Sequence, residues 1–356
     1  MKSEILSMLL DLLEIRSDMH ADKSIIVNYV KKTLEEIGFT VTIVGDQSYP
    51  ALIASRGRGG IAFSGHLDTV PIGDGWTRKQ GEIDGDRVYG RGTTDMKGAI
   101  ASMLFAARDL VDKDIPCTLL LTTDEEERML GALKLSQFEA VRTAHAIIIC
   151  EPTNLNVACR EKGVFRFRLI TRGKAAHSSQ CWLGENAILK MHNLLMKLSD
   201  LAQVPAGPTD KMTMCFTTIH GGTKDNVVPD RCQTEIDVRF PAPLTLKDIE
   251  TLIRSRLEGE DYEIETIYGL EPFESDRDSK IVKMLITHLN STIVDVPYAT
   301  EAPRYQPSNR SIYICGPGAP SLAHVPDEYV ELSALVRMHS ALVKLGQELS
   351  GNTVQG

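Results

Sequence analysis

Apolar and polar positions follow two different rhythms along this chain. Residues 3–16 and 23–37 carry apolar side chains at helical spacing, and Gly38 stands where a helix-terminating glycine belongs. Short apolar runs come next: FTVTIV (39–44), ALIAS (51–55), IAFSG (61–65), CTLLLTT (117–123) and AIIIC (146–150), with helical patterns at 95–111 and 129–140. Apolar strands separated by helices predict a doubly wound, mostly parallel α/β sheet covered on both faces.

From residue 161 to 272 the order becomes strand VFRFRLI, helix ENAILKMHNLLMKL, strand MTMCFTTI, strand CQTEIDVRF, helix LKDIETLIRSRL and strand YEIETI. That βαββαβ order is the signature of a ferredoxin-like α+β sandwich, a self-contained unit. A helix at 278–289, the strand SIYIC (311–315) and a helix at 331–348 then resume the α/β pattern. The expected architecture is an α/β domain of residues 1–160 and 273–356 with an α+β domain, 161–272, inserted into it. At 356 residues the chain has room for both.

A formal charge of -9, with no basic patch interleaved with aromatics, argues against nucleic acid and anionic membranes as partners. Cys117, Cys150, Cys159, Cys181, Cys215, Cys232 and Cys315 are scattered, without a CxxC pair, and read as reduced thiols in a cytoplasmic protein. Glu4, Asp11 and Glu14 interrupt the first apolar stretch, which therefore reads as an amphipathic helix and not as a signal peptide. No apolar run approaches the roughly 20 residues of a membrane span.

Open parallel sheets gather ligands at the carboxyl ends of their strands. Here IAFSG ends in His66-Leu67-Asp68, CTLLLTT in Asp124 to Glu127 and AIIIC in Glu151; the loop after SIYIC holds His324, and Asp95 starts the 95–111 helix. Any one of these could be a helix cap or a solvated charge. Together they form a carboxylate and imidazole cluster that is hard to hold without cations, and one without cysteine suits Zn, Mn or Co better than an Fe–S cluster or Ca. The GxGxxG turn of a nicotinamide enzyme is missing after the first strands.

GHLDTVP (65–71), GRGTTDMKG (90–98), DEE at 124–126 with Gly131 five residues on, CEPT (150–153) and GPG followed by AHVPDEYV (316–330) resemble, in order, the motif set of the M20 metallopeptidases. The resemblance covers nearly the whole chain and is strongest to the acetylornithine deacetylase and succinyl-diaminopimelate desuccinylase branch. It implies that His66, Asp95 and Glu151 bind one zinc and Asp95, Glu126 and His324 a second, with Asp95 bridging. It makes Glu125 the general base. Asp68, two residues along the strand from His66, would accept the imidazole proton and fix its tautomer. RGKAAHSS (172–179) and GGTKDNVVPD (221–230) resemble the family's lid motifs, so His177 would stabilise the oxyanion while Asn226 and Arg239 meet the substrate, often across a homodimer interface. For His177 the plainer alternative is a surface histidine, and for Arg239 a salt-bridge partner.

The activity implied is removal of an acyl group from the α-nitrogen of an amino acid by a di-zinc enzyme, with Co2+ or Mn2+ as other candidate ions. N-acetylornithine is the first substrate expected, followed by N-succinyl-diaminopimelate or a lysine-pathway acyl amino acid. A dipeptidase or aminopeptidase using the same metals stays open, as does a metal-binding relative without catalysis, against which Glu125 argues. Where the family carries Gly-Thr-Asp near the substrate carboxylate this chain has Ala299-Thr300-Glu301, and Arg304 and Arg310 follow as candidate carboxylate contacts. Glu127 is expected to be solvated, and Asp124 to hold the turn through backbone hydrogen bonds. His20, His145, His192, His220, His288 and His339 read as surface or packing residues.

Overall fold

The computed structural model describes residues 1–202 and 210–351. The chain divides into two compact units, one of Met1–Cys159, Ser275–Asp295 and Thr300–Gly356, the other of Arg160–Glu274 and Val296–Ala299.

The first unit is built on a mixed sheet whose strands run Thr40–Val44, Ala51–Arg56, Cys117–Thr122, Ile61–His66, Ala146–Ile149, Ile312–Ile314 and Val157–Glu161 in spatial order. The central ladders, from Cys117–Thr122 through Ile61–His66 and Ala146–Ile149 to Ile312–Ile314, are parallel. Both margins are antiparallel: Thr40–Val44 pairs with Ala51–Arg56, that strand with Cys117–Thr122, and Ala158 with Ile314. The four central strands are buried at every residue, as their unbroken apolar runs require of a sheet covered on both faces.

One layer over this sheet joins Phe63, Leu119, Leu121 and Ile148 to the helices Lys2–Glu14, Gly98–Val111, Lys280–Leu289 and Leu332–Gly351. Gly98–Val111 is buried almost all round, which its Ala-rich sequence permits. Helix Lys23–Ile37 starts at Asp22, which accepts the Ser24 N–H, and ends at Gly38 with φ 104°, a conformation that costs glycine nothing. The helix expected at 129–140 is two short ones, Leu130–Leu135 and Glu139–Thr143, because the backbone turns between them. A small sheet of Ile83–Asp84, Arg87–Tyr89 and Tyr329–Glu331 had no clear sequence signal; its strands are too short for periodicity.

The second unit folds Gly163–Arg172, Thr213–Gly221, Arg231–Phe240 and Glu263–Leu270 into an antiparallel sheet with helices Ala187–Ala202 and Leu246–Arg256. The first strand lies between the third and the fourth, and the second is outermost, the ferredoxin-like arrangement. Phe167, Phe240, Met191, Leu194 and Ile253 fill its separate core. Thr245 and Asp248 close a capping box at the start of Leu246–Arg256.

One close approach fixes the sheet edge. Gly316 follows the strand Ile312–Ile314, and a Cβ there would lie 2.1 Å from the Cys150 carbonyl oxygen and 2.4 Å from that of Glu151. Gly316→Ala is therefore expected to push the Glu151 backbone away and cost about 1–3 kcal/mol. A urea melt with a lower midpoint and an unchanged slope would register that loss; an unchanged midpoint would contradict it.

Candidate active site

His66 closes the strand Ile61–His66, Glu151 follows Ala146–Ile149, and the run Asp124–Glu127 follows Cys117–Thr122, so three neighbouring parallel strands deliver acids and imidazole to one edge. Asp95 sits in the turn Thr93–Lys97, with non-helical φ/ψ, just ahead of the long helix. His324, at φ 64°, reaches the same place from the loop after Ile312–Ile314.

The Asp95 carboxylate divides its oxygens between two groups. Oδ1 lies 2.9 Å from His66 Nε2, and Oδ2 lies 3.2 Å from His324 Nε2. On one side His66 Nε2 is also 3.6 Å from Glu151 Oε1; on the other, His324 Nε2 is 2.8 Å from Glu126 Oε1. Each trio, His66–Asp95–Glu151 and Asp95–Glu126–His324, offers three ligand atoms within 4.8 Å of one another. Among the described residues, histidines are the only ion-pair partners recorded for Asp95, Glu126 and Glu151; no Lys or Arg neutralises them. Buried carboxylates without a cation of their own, joined by imidazole nitrogens and no thiolate, fit a pair of divalent ions.

The electrostatics express the same shortage. Burial, with Glu151 next in weight, pushes the Glu125 carboxyl well above the usual range, and burial does the same to Glu151. Burial also raises Glu126, although its hydrogen bond to His324 works the other way. Burial opposes charging His66, yet Glu151, Asp68 and Asp95 together lift it well above its ordinary value. The contacts to Asp95 and Glu126 raise His324 to about 10. Asp95 is the exception: burial opposes its ionisation, but the two imidazoles hold it below the usual carboxylate range.

The surroundings explain how these groups are held. His66 Nδ1 lies 2.9 Å from the backbone carbonyl oxygen of Asp68. A carbonyl only accepts, so Nδ1 carries a proton; in the bare chain Nε2 is protonated as well and donates to Asp95, and on losing that proton it would offer its lone pair to a cation held with Asp95 and Glu151. The Asp68 carboxylate stands further off, 3.6 Å from Nδ1, within ion-pair reach of the imidazole. It also accepts the backbone N–H groups of Glu125 at 3.4 Å and Glu126 at 3.2 Å, orienting the acid run. Asp124 accepts the Leu130 and Gly131 N–H groups at 2.6 and 3.0 Å, anchoring the turn as expected. Glu127 is exposed, as expected, and its carboxylate also lies 2.7 Å from the buried Lys23 ammonium.

Two glutamates emerge that sequence reasoning did not assign. Glu328 is buried and accepts from Arg91 at 2.6 Å, Thr94 N–H at 2.8 Å and Asp95 N–H at 3.1 Å, so it fixes the backbone of the shared aspartate. Its position in AHVPDEYV, four residues after His324, was the available clue. Glu301, noted only as a departure from the family's Gly-Thr-Asp stretch, lies buried among Thr122, Ser64 and Tyr305 hydroxyls, with burial raising its carboxyl to about 7. Arg304 donates to the Arg128 carbonyl at 3.3 Å, and Arg310 is exposed.

His177, Asn226 and Arg239 belong to the inserted unit. His177 is exposed, and its Nδ1 accepts the Ser179 N–H at 3.2 Å. Its loop is tied to that of Asn226, whose carbonyl oxygen accepts the Ser178 N–H at 3.0 Å. Arg239 is separated from both. It pairs with Val164 near the start of the strand whose far end, Arg172, leads to the His177 loop, and its guanidinium grips Asp237 at 2.6 and 3.1 Å.

The sequence matches Peptidase family M20/M25/M40 over residues 62–348. Acetylornithine deacetylase of Photorhabdus laumondii is 33% identical over 344 residues, covering 89% of this chain and 89% of that protein. An M20 family metallo-carboxypeptidase from Sulfolobus solfataricus superposes with a TM-score of 0.81 at 18% identity, covering 97% of this chain and 98% of its own. A dinuclear metal binding peptidase of the M20 family from Bacillus subtilis gives 0.73 at 17%, covering 98% of each chain. The chain is therefore a hydrolase acting on amide bonds. It belongs to the M20 family of metallopeptidases.

Without metal, this site makes neutral pH unfavourable. A carboxyl raised on folding, as at Glu125, Glu126 and Glu151, holds its proton more tightly when folded, so stability falls as pH climbs from about 4.5. His324, raised to about 10, loses its contribution above its ordinary value of about 6.5, in the same direction. Chelator-stripped protein is expected to lose on the order of a few degrees of Tm between pH 5 and pH 8, and saturating Zn2+ to restore them. A Tm that rises over that interval in the stripped protein would contradict this account.

Proposed function

We propose that the chain is a di-zinc amidohydrolase that removes the acyl group from an N-acyl amino acid, with N-acetylornithine as first substrate. The observation that carries the reading is the division of the Asp95 carboxylate between the His66 and His324 groups. His66, Asp95 and Glu151 would hold one ion and Asp95, Glu126 and His324 the other. Two divalent cations there would supply an acidified water and a polarised scissile carbonyl, and Co2+ or Mn2+ suits the same oxygen and nitrogen donors.

Glu125 takes the proton of the attacking water and returns it to the departing amine. A carboxyl raised by burial and by neighbouring Glu151 suits this base-then-acid use. Asp68 aims it, through the N–H groups of Glu125 and Glu126. A site serving only structure has no use for such a non-ligand carboxylate, which argues against an inactive metal-binding protein.

The inserted unit serves as lid and dimerisation domain. Arg239 and His177 sit at opposite ends of a ladder about 25 Å long, so one small substrate meets both only if His177 comes from a second copy. The outermost strand Thr213–Gly221, with Ile219 exposed, and the exposed Trp182, Leu183 and Leu189 suit a homodimer contact. His177 would then steady the oxyanion, and Asn226 and Arg239 would meet the substrate. Seven free cysteines suit a reducing, cytoplasmic setting, and no helix among the described residues is long and apolar enough to cross a membrane.

Glu125→Gln is expected to keep both metals and lose about 10²–10⁴-fold in turnover. Halved metal content with activity intact would move Glu125 from base to ligand and overturn the assignment. A panel of N-acetyl-ornithine, N-succinyl-diaminopimelate, other N-acyl amino acids and free dipeptides identifies the substrate. Cleavage of free dipeptides alone would replace deacylation with a dipeptidase reading, to which the peptidase structural relatives lend some weight.

A further inference from the structure

Glu301 is a buried ionisable group at this sheet that neither the metal trios nor the proton transfer employs. Its carboxyl group is 1% exposed and sits among side chains that are fully buried. Thr122 Oγ1 donates to Oε1 at 2.5 Å, Ser64 Oγ donates to Oε2 at 3.1 Å, and the Tyr305 hydroxyl donates to Oε2 at 3.4 Å. Ser64 and Tyr305 also contact each other, hydroxyl to hydroxyl, at 3.3 Å. No Lys, Arg or His pairs with Glu301 among the recorded ion pairs of the described residues.

Ser64 and Thr122 belong to two adjacent parallel strands. Ser64 pairs with Leu120 and His66 with Thr122, so the two hydroxyls lie on one face of the ladder, two residues apart along it. Each stands just ahead of a functional turn. Two residues beyond Ser64 comes His66; immediately beyond Thr122 the chain enters Thr123 and Asp124–Glu126. The backbone reinforces the same junction, where Leu67 N–H donates to the Thr122 carbonyl at 2.8 Å. Glu301 comes from a distant part of the chain, 237 residues from Ser64, and spans both strand ends with one carboxyl group.

We infer that Glu301 is a positioning residue of the metal centre, whose carboxyl group clamps the ends of the His66 and Glu126 strands at the separation the two trios need. This rests on the metal-dependent reading above. An apolar residue in that place would stabilise the core more cheaply, since a buried carboxyl with only neutral partners carries a desolvation cost. What the carboxyl group adds is a directed, three-way hydrogen-bond junction that sets a unique geometry. Its effect reaches the metals through His66 and through the turn bearing Glu125 and Glu126.

Metal titration of chelator-stripped protein tests this without any substrate. Co2+ is the probe, followed by calorimetry and by its visible absorption. Glu301→Gln is expected to bind Co2+ about 10–100-fold more weakly, with an altered spectrum and a thermal melt that remains cooperative. Thr122→Val, which removes one hydroxyl and keeps the shape, is expected to act in the same direction. The double variant should lose no more than the worse single, because both changes break one junction. Wild-type affinity and spectrum in Glu301→Gln would overturn the inference, and should that variant fail to fold, wild-type behaviour in Thr122→Val would do so. If the native protein binds two Co2+ ions and cleaves no N-acyl amino acid, the deacylase reading fails while the clamp remains decided by these titrations.

Discussion

Four carboxyl groups, Asp95, Glu125, Glu126 and Glu151, stand together at one sheet edge with no Lys or Arg paired to them among the described residues, and their burial and mutual repulsion govern the site around them. Burial makes each charge costly, and each neighbour makes the next one costlier. In the bare chain the acids answer by holding protons and by drawing on His66 and His324. Two divalent cations would answer it more completely, and on the proposed assignment would leave Glu125 as the one acid with no ion to satisfy it. The same burial and repulsion that call for metal thus raise the carboxyl group proposed to exchange protons.

A cluster under this tension needs a rigid frame. The frame is a parallel sheet buried on both faces, whose strand ends cannot drift because each is bonded to its neighbour. Further ties bind the loops to it. Asp68 gathers the N–H groups of Glu125 and Glu126, Glu328 gathers those of Thr94 and Asp95, and Asp124 anchors the turn beyond. Gly316 lets the neighbouring backbone come close enough to seat Glu151. The ties from Asp68 and Glu328 each use a buried polar group at some cost in desolvation, and each acts on the backbone of a trio member, Glu126 or Asp95.

Much of this was legible in the chain, for reasons that differ from residue to residue. His66, Asp124–Glu127 and Glu151 follow directly on unbroken apolar strands, so strand-end placement needed only the rule that parallel sheets gather ligands there. The inserted unit announced itself through its change of rhythm. The antiparallel margins did not, because the apolar run of Ala51–Arg56 looks the same in either direction. The nearer contact of His66, to the Asp68 backbone carbonyl, was not legible, since alternation along a strand tells which face a side chain takes and not where the backbone carbonyl lies. The parts of Glu301 and Glu328 were hidden for a further reason: Ser64, Arg91, Thr94 and Asp95 lie more than 200 residues from the glutamates they meet, and no local pattern encodes such a meeting.

The account stands on cations balancing the acids, and metal stoichiometry tests that most directly. Elemental analysis of chelator-stripped protein re-equilibrated with Zn2+ should find two ions per chain, with Glu151→Gln losing one of them and Asp95→Asn losing both. One ion per chain in the native protein, or two retained in Asp95→Asn, would contradict it.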